Sequence, residues 1–280
     1  MFGRMEKLAA ACAVATMVSA CGGGSGAQEP IAQVAAAPAV IVQPPTGAPG
    51  LPPSEVLLAS LMDGTNAIDV LPASAYTTPV FLPAASIDLT VDRRLLLQQL
   101  FSRVTAGEPD PIESWVEYLQ DRVAHPVEPP MHEWGINVYD PLWILENRLA
   151  WCGQINRVLV DGLLIAGFDA RMVQLNGHQA AEVWLDGQWR YLDADFANVW
   201  VRKPDGMIPS AQEIHDDPSL LDSIAWEPEF ARYPTGVADP GPEFYAAVFE
   251  DQPYYYVKTA TPEQERDPFF GWNTYYETVQ

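Results

Sequence analysis

Cys152, His178 and Asp193 follow one another at intervals of 26 and 15 residues, and their types are those needed for thiol chemistry. A cysteine attacks through its thiolate, and it needs a base within hydrogen-bond reach and a third group to orient that base. Trp151-Cys152-Gly153 opens a stretch in which Ile155, Val158, Leu159, Leu163 and Ala166 recur at helical spacing, and Gly167 stands where a helix would stop. The thiol is therefore expected at a helix N-terminus. Unpaired N–H groups and the helix dipole there stabilise a thiolate, and the same N–H groups, Gly153 included, can donate to an oxyanion.

The base has to be carried by the elements that follow. Ala170 to Leu175 reads as a strand, Gly177 breaks it, and His178 to Leu185 reads as a second strand. Asp186-Gly187 favours a type I′ turn, after which Gln188 to Asp193 returns as a third strand. A two-residue turn pairs Leu185 with Gln188 and Trp184 with Trp189. Extended further, that register sets Ala180 opposite Asp193 and His178 opposite Asp195, with Asp193 diagonal to the histidine. Side chains alternate along a strand, so both carboxylates lie on the histidine's face. Register by itself leans toward Asp195.

Upstream, helices are expected over 92–104 and 111–123, the second with Pro111 at its first position, and a short one from Asp140-Pro141 through Leu145. Helices followed by antiparallel strands make an α+β domain, not a series of βαβ units. Beyond Phe196 the pattern weakens, with one short helix near Ser210 to His215 and another near Leu220. The aromatics from Phe244 to Tyr276 read as an extension packed on the core, with stacking on sugar rings as the alternative.

From Trp151 to Phe196 the chain resembles the core of the transglutaminase-like superfamily, whose fold is papain-like. The matching residues are Cys152, Gly167, Ala170-Arg171, Gly177-His178 with Glu182, and Trp189 with Asp193. The resemblance implies a nucleophile helix packed on an antiparallel sheet, with Cys152 as nucleophile, His178 as general base and acid, and Asp193 as orienter. The family more often has Pro after that Asp, whereas Ala194 and then Asp195 follow here, which keeps Asp195 as a rival orienter. The family often adds an upstream residue to the oxyanion side. Trp134 and His132 are candidates by location, against plainer readings as a core ring and a loop residue. Glu182 is expected to support the hairpin and Arg171 to make a structural ion pair. His125 and His215 have no companions at useful spacing, and no zinc pattern or cofactor motif is present. The implied activity is acyl transfer on an amide or peptide bond through a thioester, with hydrolysis first and transamidation second. A catalytically inactive scaffold is the rival reading. An arylamine-type acetyltransferase would use the same residue types, but nothing in the chain suggests a site for acyl-CoA.

The N-terminus bears on location. Arg4 and Lys7, an apolar run from Leu8 to Met17, and Val18-Ser19-Ala20-Cys21 resemble a lipoprotein signal peptide over residues 1–20. That implies lipidation at Cys21 and attachment to a bacterial envelope membrane facing the periplasm. Gly22, where an Asp commonly retains lipoproteins at the inner membrane, points to the outer one. Residues 21–53 have the composition of a disordered tether, leaving 54–280 as the folded part. Of three cysteines, Cys12 would leave with the signal and Cys21 would carry lipid, so Cys152 is a lone thiol in a compartment that uses cysteines in pairs. With 37 acidic and 15 basic residues the net charge is −22, which argues against nucleic acid as a partner. The expected partners are a peptide or amide-containing envelope substrate and, through the lipid, a membrane.

Overall fold

The computed structural model describes residues 53–63, 81–82, 93–126, 128–132, 138–196, 200–224, 242–258 and 276–279. The expected signal peptide, Cys21, most of the expected tether and Trp134 lie outside them.

One helix organises the rest. It runs Cys152–Ile165 (α5), and every residue from Cys152 to Leu163 is buried, as expected for a helix apolar on most of its circumference. Ala166 caps it and Gly167 follows at φ 94°, a left-handed position that lacks a Cβ penalty only for glycine. On one side it meets helices α2 (Arg93–Val104), α3 (Pro111–Arg122) and α4 (Pro141–Asn147), with α1 (Pro53–Leu61) packed on α2 and α4. Asp110 and Asp140 cap α3 and α4 with their carboxylates, each followed by a proline at the first helical position. Trp115 of α3 packs closely against α5 at Gly162, where a Cβ would stand 2.6 Å from the indole nitrogen.

On its other side α5 packs on an antiparallel sheet of order β5-β4-β3-β6-β7. The strands are β3 (Ala170–Leu175), β4 (His178–Leu185), β5 (Gln188–Leu192), β6 (Tyr254–Lys258) and β7 (Tyr276–Val279). Two further strands, β1 (Phe81–Leu82) and β2 (Met131–His132), make a separate parallel pair, so His132 sits in a short strand where a loop was expected. Asp186 and Gly187 have φ of 52° and 82°, the type I′ turn that sets Leu185 opposite Gln188 and Trp184 opposite Trp189.

Alternation along the strands splits the core in two. Met172, Ala181, Val183 and Leu192 face α5, while Val173, Ala180 and Tyr191 face the opposite layer. That second layer is built from α6 (Ala211–Asp216), a 3-10 turn over Pro218–Ser223, and α7 (Pro242–Val248), through Ala211, Ile214, Leu221, Tyr245, Val248 and Phe249. The fold is thus α+β with the nucleophile helix on an antiparallel sheet. The extension reading of the C-terminal aromatics fits Tyr245 and Phe249, which are core, and Tyr255, which packs on it, but not Tyr254, which is 59% exposed. Phe269, Phe270 and Trp272 lie outside the described residues. Among the described residues no helix is long and apolar enough to cross a membrane.

Candidate active site

Cys152 is the first residue of α5, as the sequence implies. The preceding turn is fixed by Gln154, whose Oε1 accepts from the Trp151 N–H at 2.9 Å while its Nε2 donates to the carbonyls of Pro130 and Val138. A buried side-chain amide with all these bonds made leaves the helix start little freedom. Gly153 follows in close contact with Gln179, whose Oε1 would be 2.0 Å from any Cβ there.

His178 opens β4 and its imidazole is hydrogen-bonded to the Cys152 side chain. Its Nε2 lies 2.7 Å from Asp193 Oδ2, which leaves Nδ1 for the sulfur. Phe196 and Tyr245 pack on the ring, with centroids at 4.8 and 6.5 Å. Cys152, His178 and Asp193 are 3%, 2% and 2% exposed, so the three partners meet almost out of water. Burial by itself pushes the imidazole's pKa down. The charge and hydrogen bond of Asp193, with the Cys152 sulfur adding to them, outweigh it and hold His178 well above its ordinary 6.5.

The contact to the imidazole falls to Asp193, and the reason is where β5 ends. Pairing with β4 stops at Ala181 opposite Leu192, so the register cannot be extended to set Asp195 across from His178. The chain bends over 194–196 and Asp193 turns its carboxylate into a ring of donors. Oδ2 takes the His178 contact and bonds with the Tyr191 and Tyr245 hydroxyls at 3.1 and 2.9 Å. Oδ1 accepts from Asn156 Nδ2 at 3.0 Å and from the Asp195 N–H at 2.9 Å. Both tyrosines are held far above their ordinary pKa, first by burial and then by the Asp193 charge, so they keep their protons.

Asp195 is bound elsewhere but remains close. His125 Nδ1 lies 3.0 Å from Asp195 Oδ1, correcting the expectation that this histidine has no companion. Its ring stacks on Trp151, and the Trp151 indole donates to the Pro126 carbonyl. His215 is tied to the Phe249 carbonyl at 2.8 Å and lies away from this cluster. Cys152, His178 and Asp195 bring one ligand atom each to within 4.8 Å of one another, so they could hold a metal ion. They do not form a sequence motif, which is why spacing alone suggests no such site.

Sequence reasoning passes over Asn156, and its place explains how the parts stay together. It is fully buried one turn into α5. Its Nδ2 donates to the Gln179 carbonyl of β4 and to Asp193, and its Oδ1 accepts from the Ala194 N–H at 2.8 Å. An asparagine four positions after the cysteine, one turn along on the same face of the helix, is the signal that would have found it. Gln120 of α3 adds bonds to the carbonyls of Asp193 and Phe196. Arg171, of which an ion pair was expected without a named partner, pairs with Glu182 at 2.6 Å, and Glu182 also accepts from the Ala211 N–H at the start of α6. Arg171 is sandwiched between the rings of Trp189 and Tyr255, at 3.9 and 3.7 Å.

No known family profile and no curated protein matches the chain. A solved structure of a candidate cysteine protease from Cytophaga hutchinsonii aligns with it at 16% identity and a TM-score of 0.31. The alignment covers 46% of this chain, which spans about half (48%) of that one. A likeness this slight carries neither fold nor activity. Those rest on the geometry, and a buried cysteine at a helix start, hydrogen-bonded to a histidine that is bonded in turn to a carboxylate, is an arrangement suited to cysteine-based catalysis.

Proposed function

We propose that this chain is a transglutaminase-like cysteine enzyme that transfers acyl groups from amide or peptide bonds through a thioester on Cys152. The observation that carries this reading is the line from the Cys152 side chain through His178 to Asp193 Oδ2 at 2.7 Å. His178 takes the thiol proton, and the thiolate sulfur bonds to the substrate carbonyl carbon. The C–N bond then breaks as His178 returns the proton to the departing amine. Water attacks the thioester, gives a proton to His178, and releases the acid with the free thiol. An amine in place of water would give a new amide, and hydrolysis is the favoured outcome. The Cys152 and Gly153 N–H groups at the start of α5 would donate to the oxyanion. Asp193 orients the imidazole and supports its charged form. The N-terminal residues favour a lipid-anchored enzyme of the cell envelope acting on a peptide or amide substrate there.

The near-complete burial of Cys152 favours the second reading, a scaffold that retains the residues without turnover. Alkylation separates the two. In the full chain carrying Cys12→Ser and Cys21→Ser, Cys152 is the sole thiol. Its reaction with iodoacetamide should follow an apparent pKa below the usual value of about 8.5, and His178→Ala should abolish that advantage. Slow alkylation, indifferent to His178, would leave the scaffold.

A further inference from the structure

The cluster around Cys152 contains one group that acyl transfer does not use, the buried carboxylate of Asp195. It is 1% exposed, and it shares with the Cys152 sulfur and a His178 nitrogen a space in which the three ligand atoms lie within 4.8 Å. Each comes from a different segment, the start of α5, the start of β4 and the bend after β5. The imidazole and the carboxylate are each held by a further residue. Asp193 holds His178 Nε2, which leaves Nδ1 for the cluster, and His125 Nδ1 lies 3.0 and 3.2 Å from the two Asp195 oxygens. A carboxylate behind a histidine fixes its tautomer and raises its basicity toward a metal.

We propose that Cys152, His178 and Asp195 form a site for a thiophilic divalent cation of the zinc class, and that its occupation reversibly blocks the nucleophile. The donors are one sulfur, one nitrogen and one oxygen. A thiolate and a carboxylate balance the two positive charges, and three protein ligands leave a fourth position for water. Bonds of about 2.3 Å to sulfur and about 2.0–2.2 Å to nitrogen and oxygen set tetrahedral ligands roughly 3.5 Å apart. The pocket therefore has to draw in by about 1 Å. Binding displaces the proton that Cys152 and His178 share, so that both the sulfur and Nδ1 can ligate, and changes no oxidation state. The acyl-transfer reading is needed for the consequence, inhibition, and not for the site itself.

The test uses the full chain with Cys12→Ser and Cys21→Ser, titrated with CoCl₂ and then ZnCl₂. Cobalt should produce a thiolate charge-transfer band and visible d–d absorption that zinc displaces. Zinc should also protect Cys152 from iodoacetamide until a chelator is added. Cys152→Ser should remove the charge-transfer band, and Asp195→Asn and His178→Ala should each weaken binding about tenfold or more. Absence of a band and of protection at millimolar metal overturns the proposal in the unsubstituted site, whatever the variants' folding. So does a band equally strong without Asp195, since that is a bare thiol binding cobalt. Rapid His178-dependent alkylation with no metal binding would sink this proposal and keep the enzyme. Metal binding by all three ligands with a sluggish thiol would do the reverse.

Discussion

Burial drives an imidazole toward its neutral form, and a carboxylate at 2.7 Å drives it back, so the protonation of His178 turns on Asp193. In a Cys152→Ser background, the NMR titration of His178 should have its midpoint above 6.5. Asp193→Asn should carry it below 6.5, because burial then acts almost unopposed. A midpoint that moves with Asp195→Asn and ignores Asp193→Asn would transfer the orienting role. The same shift has a sign in stability. A folded-state pKa raised above the unfolded one means that the charged pair stabilises the fold fully below about pH 6.5. That contribution is lost as pH rises through the raised value. Asn156→Ala should cost about 1–3 kcal/mol in urea unfolding for each buried partner left unsatisfied, and should slow alkylation of Cys152 in the surviving folded fraction. At this scale the cysteine and histidine could be read from types and spacing, whereas spacing leaned toward Asp195 and the family resemblance pointed to Asp193, which makes the contact. Tyr245 and His125 could not be read so, because they reach Asp193 and Asp195 across 52 and 70 residues of chain.

Among the elements, α5 and the hairpin after it follow from their local signals, apolar residues at helical period and an Asp-Gly turn, and the structure has them where those signals place them. The register fails only past Leu192, where a strand's end is decided by what the next residues can bond to, here Asn156 and Gln120. β6 joins the sheet beside β3 by a non-local pairing that no local pattern announces. Two contacts between elements invite tests. Gly162→Ala drives a methyl into the buried Trp115 ring, which has no room to yield, and should lower stability by about 1–3 kcal/mol with little change in m-value. Arg171→Met strands Glu182, fully buried and already pushed above its ordinary pKa by burial, and should cost about 3–5 kcal/mol. Glu182→Gln added to Arg171→Met should recover part of that loss.

Taken whole, the molecule has its reactive centre where three layers meet, at the mouth of α5 between the helical layer and the C-terminal layer. The C-terminal segment is therefore structural as well as peripheral in sequence. It supplies Tyr245, Val248 and Phe249 to the second core and β6 to the sheet. A chain ending at residue 224 should expose the edge of β3, lose the Tyr245 bond to Asp193, and show by circular dichroism and melting that it no longer folds cooperatively. A truncated chain with an unchanged melt and unchanged Cys152 reactivity would show the segment to be dispensable.

The bonds of Asn156 gather α5, β4 and the bend after β5 into one knot beside the thiol. No one of those segments makes a reactive cysteine by itself. Until all three have docked, Cys152 is an ordinary sulfhydryl with its histidine far along a loose chain, and the unfolded chain would be chemically quiet. Maturation of the nucleophile is then a late event of folding. In a urea titration, the loss of His178-dependent reactivity should coincide with the loss of secondary structure, and so the thiol serves as a clock for completion of the fold.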